Sequence, residues 1–128
     1  MAVANGGGKM QKPVYQNLFK PLYLNGLRLK NRITMAPLYL GYAAEGGRMS
    51  RLLLHYYNEM AKSGAAMIMV ENASITASGS GSPRTIRCDH NRYLKGLETL
   101  ADTIHKEKSL AGLQINHAGR FAHVSQSV

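Results

Sequence analysis

Cysteine, tryptophan, long apolar runs and acidic residues are all scarce or absent in this sequence of 128 residues. Cys88 is its single cysteine, which excludes an internal disulfide framework and fits a reducing compartment. No apolar run approaches the roughly 20 residues that a membrane-spanning helix needs. The stretch from Met1 to Met10 has no apolar core, so it resembles neither a signal peptide nor a membrane anchor. These features predict a cytoplasmic protein with no membrane partner.

The shortage of acids leaves a strongly basic chain. Seven Asp and Glu accompany sixteen Lys and Arg, and the formal net charge is +9. Nucleic acid is a common partner of such a chain, but these basic residues are scattered and form neither a stripe nor a platform interleaved with aromatics. The pattern therefore predicts no nucleic-acid partner, with a basic binding module as an alternative. An excess of one charge also arises in a piece of a larger protein.

The first elements along the chain are a leader and a hairpin. Residues 1–14 are small and polar and predict a flexible leader, whereas residues 15–128 are assigned to one domain. An Asn-Gly pair between alternating apolar residues predicts a β-hairpin over Leu22–Leu29. The segment Asn31–Pro37 predicts a short strand that ends at the proline, which has no N–H for a neighbouring strand.

A helix and a buried strand are predicted next. Ser50 is a favourable N-cap for a helix that runs to about Ser63, where Gly64 can end it. The residues at helical spacing that should face the core are Leu53, Tyr57, Met60 and Ala61. The segment Ala65–Val70 is apolar without alternation, which is typical of a parallel strand covered on both faces, although pattern alone also allows a buried helix. It ends at Glu71-Asn72, before a loop rich in Ser and Gly.

The last two elements are a second helix and a third strand. Asp89 or Asn91 is the predicted N-cap, and the apolar stripe of the helix is Leu94, Leu97, Ala101 and Ile104. The segment Leu110–Asn116 alternates as a strand does, with Ala111, Leu113 and Ile115 on one face and Gly112, Gln114 and Asn116 on the other. Two carboxamides and His117 thus gather near the carboxyl end of a strand, where parallel barrels bind ligands.

The order of elements predicts an α/β fold with a parallel sheet. The strand ends near Ala36, Glu71 and Gln114 are about 35 to 45 residues apart. A (β/α)₈ barrel allots about 30 residues to each unit, and more where its loops are long. A doubly wound sheet also fits, but the glycine-rich turn expected after its first strand is replaced by Pro37-Leu38-Tyr39. The sequence therefore favours a barrel.

Two segments resemble a known family. They are Lys30-Asn31-Arg32-Ile33-Thr34-Met35-Ala36-Pro37 and Gln114-Ile115-Asn116-His117-Ala118-Gly119-Arg120, supported by Leu18-Phe19-Lys20-Pro21-Leu22 and Val70-Glu71. In this order and spacing they resemble the Old Yellow Enzyme family of FMN-dependent NADH:flavin oxidoreductases and ene-reductases. The resemblance implies the N-terminal part of a TIM (β/α)₈ barrel, with about three βα units and a hairpin at the barrel bottom.

The resemblance also implies a cofactor site for FMN at the carboxyl ends of the strands, with NADH or NADPH as the hydride donor. The residues carried over to that site are Ala36, Pro37, Leu38, Tyr39, Asn72 and Gln114. Gln114 is implied to face the pyrimidine end of the flavin, and its carboxamide offers the matching donor and acceptor in one plane. Tyr39 and Tyr42 follow the strand end at Pro37 and are expected at the substrate mouth. His117 and Arg120 are expected to fix the loop after the third strand.

The family residues that anchor the substrate and the FMN phosphate are implied to lie on later strands. The catalytic residues are therefore expected beyond Val128, no metal is predicted, and the chain by itself is expected to be an inactive fragment. The predicted activity of the complete protein passes hydride from NADH or NADPH to flavin and on to an activated alkene or similar small-molecule acceptor. The alternative is a non-enzymatic remnant, or a subunit that needs a second polypeptide to complete the barrel.

Overall fold

The computed structural model describes residues 15–122, and the leader predicted for residues 1–14 lies outside them. The described chain has six strands, two α-helices and four short 3₁₀ turns. In chain order the strands and α-helices are β1 (Leu22–Leu24), β2 (Leu27–Leu29), β3 (Thr34–Met35), α1 (Arg51–Lys62), β4 (Met67–Ser74), β5 (Ile86–Arg87), α2 (Leu94–His105) and β6 (Leu110–Asn116). This is the predicted series with one added strand, β5.

Strands β1 and β2 form the predicted hairpin as a separate antiparallel pair. Asn25 and Gly26 connect them with positive φ angles of 45° and 83°. A type I′ turn needs positive φ at both central residues, so the Asn-Gly signal is confirmed.

The other strands form a parallel sheet in the order β3, β4, β6. The short β5 pairs with the end of β4 at the edge opposite β6, so it continues the sheet past the point where β3 stops. In a parallel sheet all carboxyl ends meet at one edge. The loops after β3, β4 and β6 therefore emerge together, and they bring separate stretches of sequence to one place.

Both helices pack on the same face of the sheet. The shared core includes Leu53, Tyr57, Ala61, Ile68, Val70, Leu100 and Ile104. Ser50 caps α1 as predicted, since its Oγ accepts the N–H of Leu53 at 3.0 Å. Gly64 follows the helix with a φ of 88°, a left-handed angle that suits glycine.

The start of α2 differs from the prediction. Neither Asp89 nor Asn91 caps the helix: a 3₁₀ turn over Asn91–Tyr93 precedes it, and His90 Nδ1 caps this turn by accepting the N–H of Arg92. The Asp89 carboxylate instead pairs with the Arg87 guanidinium. Asp89 is therefore engaged across the turn and is not available as a cap.

The 3₁₀ turn also changes which residues of α2 face the core. A 3₁₀ turn has about three residues per turn where an α-helix has 3.6, so it shifts the phase of the helix that follows. Tyr93 and Leu100 are buried, while Leu94, predicted in the core, is 53% exposed. The predicted stripe was wrong at Leu94 and correct at Ile104.

Strand β4 is longer than predicted, because it continues through Glu71 and Asn72 to Ser74. Val70 pairs with Leu113 of β6, but the next aligned pair is Ala73 with Ile115. Between these pairs β4 advances three residues and β6 advances two. One extra residue therefore forms a β-bulge, which changes the direction of side chains at the end of β4.

A buried amide holds the amino-terminal edge of the sheet. Asn31 Nδ2 donates to the carbonyl of Gly64 at 2.8 Å. Its Oδ1 accepts the N–H groups of Ile33 and Ala66 at 3.0 and 3.1 Å. Lys30 extends this network to the segment between α2 and β6. The side chains of this motif thus join the start of β3 to the ends of both helices, away from the carboxyl edge.

Candidate functional site

A cleft of about 370 Å³ lies at the carboxyl edge of the sheet. Its walls come from the loop after β3, from β4 with its following loop, and from the end of β6. The lining residues are Tyr39, Asn72, Gly81, Ser82, Thr85, Gln114 and Asn116. They are far apart in the sequence and meet because the parallel strands end at the same edge.

Three carboxamides give the cleft its polar character. Ala73 pairs with Ile115, so the preceding residues, Asn72 and Gln114, lie on neighbouring strands at matching positions. Asn116 follows on the same face of β6 as Gln114, and all three line the cleft. Each carboxamide offers donors and an acceptor in one plane. The group is thus suited to the edge of a flat ligand that carries both N–H and carbonyl groups.

Two buried atoms of cleft residues lack a hydrogen-bond partner within residues 15–122: Asn116 Oδ1 and Thr85 Oγ1. Thr85 as a whole is 1% exposed. Buried polar atoms in native proteins are almost always paired, and an unpaired one calls for an explanation. Both atoms belong to residues that line the cleft, but neither has the exposed surface through which a ligand could reach it without a local rearrangement.

Tyr39 forms the wall on the β3 side of the cleft. Its ring lies over Gly41, where an added Cβ would be 3.4 Å from the Tyr39 hydroxyl oxygen. Gly41 has a φ of 68°, which a residue with a side chain rarely adopts. The intervening Leu40 donates its N–H to Glu71 Oε2 at 2.8 Å. The loop that presents Tyr39 is thereby fixed to the end of β4.

Glu71 is fully buried beneath this loop. Its Oε1 has no hydrogen-bond partner in the part of the chain that the structure describes. Burial raises the pKa of the Glu71 carboxyl, because desolvation disfavours the charged form, and the N–H groups of Leu40 and Gly41 partly offset this rise in pKa.

The contribution of Glu71 to stability is expected to fall as the pH rises above 4.5, the ordinary pKa of its carboxyl. The folded state holds the Glu71 proton more tightly than the unfolded state does. The stabilisation that protonated Glu71 provides is therefore complete below the ordinary pKa. It is lost as the pH rises through the higher pKa of Glu71 in the folded state. Glu71→Gln has no titrating proton and should lack this loss. Urea unfolding of both proteins over a pH series checks the prediction, and equal pH slopes would contradict it.

The structure brings together three of the predicted site residues: Tyr39, Asn72 and Gln114. Three others follow β3 at the same edge but lie outside the cleft lining, namely Ala36, Pro37 and Leu38. Their predicted contact with a ligand through the backbone stays a prediction. Asn72 lies within β4 and not just after it, because the strand is longer than expected.

The two tyrosines predicted at the substrate mouth are separated. Tyr39 lines the cleft, but Tyr42 does not. The ring of Tyr42 packs edge-on against Tyr56 of α1, with centroids 6.0 Å apart, and the Ser50 hydroxyl donates to the Tyr42 carbonyl. These contacts tie Tyr42 to the start of the helix.

Three lining residues were not predicted as site residues. Asn116 was placed with Gln114 at the binding end of β6 by strand alternation, but it was not carried over to the FMN site. Gly81, Ser82 and Thr85 belong to the Ser- and Gly-rich loop, which has no periodicity to orient it. Their position depends on tertiary contacts such as the hydrogen bond from Gly46 N–H to the Pro83 carbonyl, at 3.1 Å.

His117 supports the loop after β6, as expected. Its Nδ1 accepts the N–H of Gly119 at 3.0 Å, and its ring packs against Gly79, which leaves no room there for a Cβ. Ala118 N–H also donates to the Gly79 carbonyl at 2.8 Å. These contacts join the loops after β4 and β6 beside the cleft.

Residues 15–122 contain no group of three or more His, Cys, Asp and Glu side chains placed to hold a metal ion. Neither of the two α-helices in this part of the chain is long and apolar enough to cross a membrane.

Comparison with known proteins decides the family. The model of the NADH:flavin oxidoreductase / NADH oxidase family matches residues 17–127. The chain belongs to this family. A metal reductase from Desulforamulus reducens, 36% identical over 106 residues, is matched across 83% of this chain and 16% of its own length. An NADH oxidase from Thermoanaerobacter brockii is 33% identical over 107 residues, with the same two shares.

Solved structures of the family give the same answer for the fold. The old yellow enzyme from Trypanosoma cruzi superposes with a TM-score of 0.76 at 29% identity, over 86% of this chain and 29% of that enzyme. The chain spans less than a fifth of the length of each of the two sequence relatives. Its fold is the N-terminal part of a TIM (β/α)₈ barrel, and the described residues do not close the barrel by themselves.

Proposed function

We propose that the cleft holds the isoalloxazine ring of FMN in an NAD(P)H-dependent oxidoreductase of the ene-reductase type. The observation that carries the proposal is the meeting of Asn72, Gln114 and Asn116 beside Tyr39 at the carboxyl edge of the sheet. Family membership supports the same cofactor. A TIM barrel places its ligand site at this edge, which also agrees with the proposal.

The residues of the cleft fit a flavin. The pyrimidine edge of the ring presents N–H and carbonyl groups, and carboxamides match both. Gln114 and Asn72 are the candidates for this edge, and Asn116 lines the cleft beside Gln114. The polar wall of the cleft is thus explained by one kind of ligand.

In this proposal the chain binds and orients the cofactor. Bound FMN would supply the hydride chemistry that links NADH or NADPH to an activated alkene or a similar acceptor. Gln114 and Asn72 would hold its ring through paired donors and acceptors. Tyr39 forms the wall of the cleft on the β3 side.

The remaining parts of the site are proposed to come from strands outside the described residues. Within residues 15–122, the outer edge of β6 has no paired strand, and the nearby Ile115 is 65% exposed. An open parallel edge of this kind is normally covered or paired. The completed barrel means residues 15–122 together with the strands that close the sheet. Those strands are proposed to carry the substrate and phosphate contacts, whether they belong to the same chain or, in the alternative, to a partner polypeptide.

Gln114→Leu is expected to weaken FMN binding by the completed barrel about 5- to 150-fold, since buried flavin groups would lose their partners at about 1–3 kcal/mol. Gln16→Leu, at an exposed position outside the cleft, is the matched control and should bind FMN normally. Flavin fluorescence quenching gives the dissociation constants. Equal affinities in the two variants would remove Gln114 from the site, and a completed barrel that binds no FMN would refute the proposed function.

A further inference from the structure

The bulge in β4 gives Glu71 a direction that a regular strand would not. Val70 and Ala73 are both in the core with the helices, although they are three residues apart. Asn72 faces the cleft on the opposite side of the sheet. Glu71 is the extra residue between these faces, and its carboxylate reaches the loop after β3, where it accepts the Leu40 N–H.

Glu71 is held at both its backbone and its side chain. Its own N–H donates to the hydroxyl oxygen of Tyr57 at 2.7 Å, which ties it to α1. Its Oε2 accepts the Leu40 N–H at 2.8 Å. A single residue therefore connects the buried face of a helix with the loop that forms one wall of the cleft.

The Leu40 N–H is directly linked to Tyr39. That N–H belongs to the planar peptide whose other end is the Tyr39 Cα. A hydrogen bond that holds this plane restricts the direction in which the Tyr39 side chain leaves the loop. Gly41, with its left-handed φ, lets the Tyr39 ring fold back into contact with the loop.

Burial of a carboxyl costs free energy, because the group loses its hydration. An apolar side chain of the same volume would pack there without this loss. Glu71 has no exposed surface, and one of its oxygens has no partner within residues 15–122. The oxygen that is used accepts from a cleft loop. A buried carboxyl in this place is expected if the position of that loop matters for the site.

We propose that Glu71 is a positioning residue that sets Tyr39 in the cleft by accepting the Leu40 N–H. This inference rests on the proposed function for its consequence in FMN binding. The contact to Leu40 and its effect on Tyr39 are properties of the protein without ligand.

The first test measures the loop in the ligand-free completed barrel. Glu71→Leu and Glu71→Met remove the acceptor and keep an apolar side chain of similar size, whereas Glu71→Gln keeps a carbonyl oxygen. We expect amide exchange of Leu40 to become about 10-fold faster in the first two and to return near the wild-type rate in Glu71→Gln. The ring resonances of Tyr39 should shift in the same two variants. Tyr57→Phe is the control, since it removes the partner of the Glu71 N–H and leaves the carboxylate in place.

The second test is a double-mutant cycle on FMN affinity in the completed barrel. Glu71→Leu should raise the dissociation constant several-fold in the wild-type background and have no further effect in a Tyr39→Ala background. Unchanged Leu40 exchange in both acceptor-free variants, or additive losses of affinity, would overturn the proposal. If the wild type binds no FMN, the proposed function fails, and the exchange and ring resonances alone decide the role of Glu71.

Discussion

Replacement of Asn31 with alanine is expected to lower the free energy of unfolding by about 2–4 kcal/mol. Asn31 is 9% exposed, and its amide makes three hydrogen bonds to backbone groups. Alanine would leave the Gly64 carbonyl and the Ile33 N–H without this partner in a place that water reaches poorly. Ala66 N–H would keep its bond to the Ile33 carbonyl, at 2.9 Å, which limits the loss.

Urea unfolding measures this loss, and two variants define its origin. Asn58 lies on α1, and its amide donates only to Glu59, an exposed neighbour. Asn58→Ala should therefore change the stability by no more than about 0.5 kcal/mol. Asn31→Asp keeps the acceptor oxygen and loses the donor to Gly64, so it should fall between the other two. Similar losses for Asn31→Ala and Asn58→Ala would show that the Asn31 network does not stabilise the fold.

Gly47→Ala is the second substitution with a large expected effect, a loss of about 3–4 kcal/mol. Gly47 has a φ of 77°, and a Cβ there would be 2.5 Å from Arg87 Cγ and 2.6 Å from the Thr85 carbonyl oxygen. The arginine side chain can move, but the backbone oxygen belongs to the segment that leads into β5. The new methyl group would force the Glu45–Gly47 turn away from the wall of the cleft.

The neighbouring Gly46 provides the matched control. Its φ of 74° is nearly the same, but no atom lies within 4 Å of the position that a Cβ would take. Gly46→Ala should therefore cost only the left-handed backbone strain, about 1–2 kcal/mol. The difference between the two variants in the midpoint of urea unfolding isolates the clash. Equal midpoints would mean that the close contact at Gly47 relaxes without cost.

The elements that local signals define were predicted from the sequence. The Asn-Gly turn, the Ser50 cap and the Gly64 stop each act within a few residues, and all three have the expected conformation. The parallel order of the sheet also followed from the alternation of strands and helices. Such features depend on backbone preferences that neighbouring residues set, so they can be read without the tertiary structure.

Features set by long-range pairing were not predictable. The bulge in β4 arises because β6 has one residue fewer than β4 between the same two aligned pairs. No sequence pattern within β4 predicts it. The phase of α2 depends on a 3₁₀ turn capped by His90, a residue type with no strong preference for that role. Strand β5 is two residues long and pairs only because its loop docks against β4.

The candidate site shows the same division. Strand alternation placed Gln114 and Asn116 together on one face of β6, and both line the cleft. Thr85 entered the cleft through the fold of an irregular loop, which the sequence does not orient. Tyr42 was assigned to the mouth from its distance in sequence to Pro37; it packs on Tyr56 and does not line the cleft, and its place at the substrate mouth stays a prediction. Proximity along a loop predicts the edge of the sheet that a residue reaches and not the neighbour it meets.

The extra residue in β4 gives two consecutive positions independent roles. In a regular strand, residues 70 and 72 would share one face of the sheet and residues 71 and 73 the other. Here the side chain at position 71 contacts the loop after β3, whereas the side chain at position 72 lines the cleft. The chemistry of the binding wall can therefore be altered at Asn72 without disturbing the support of Tyr39. Deletion of Asn72 would remove the bulge, leave Glu71 next to Ala73 and turn its carboxylate into the cleft.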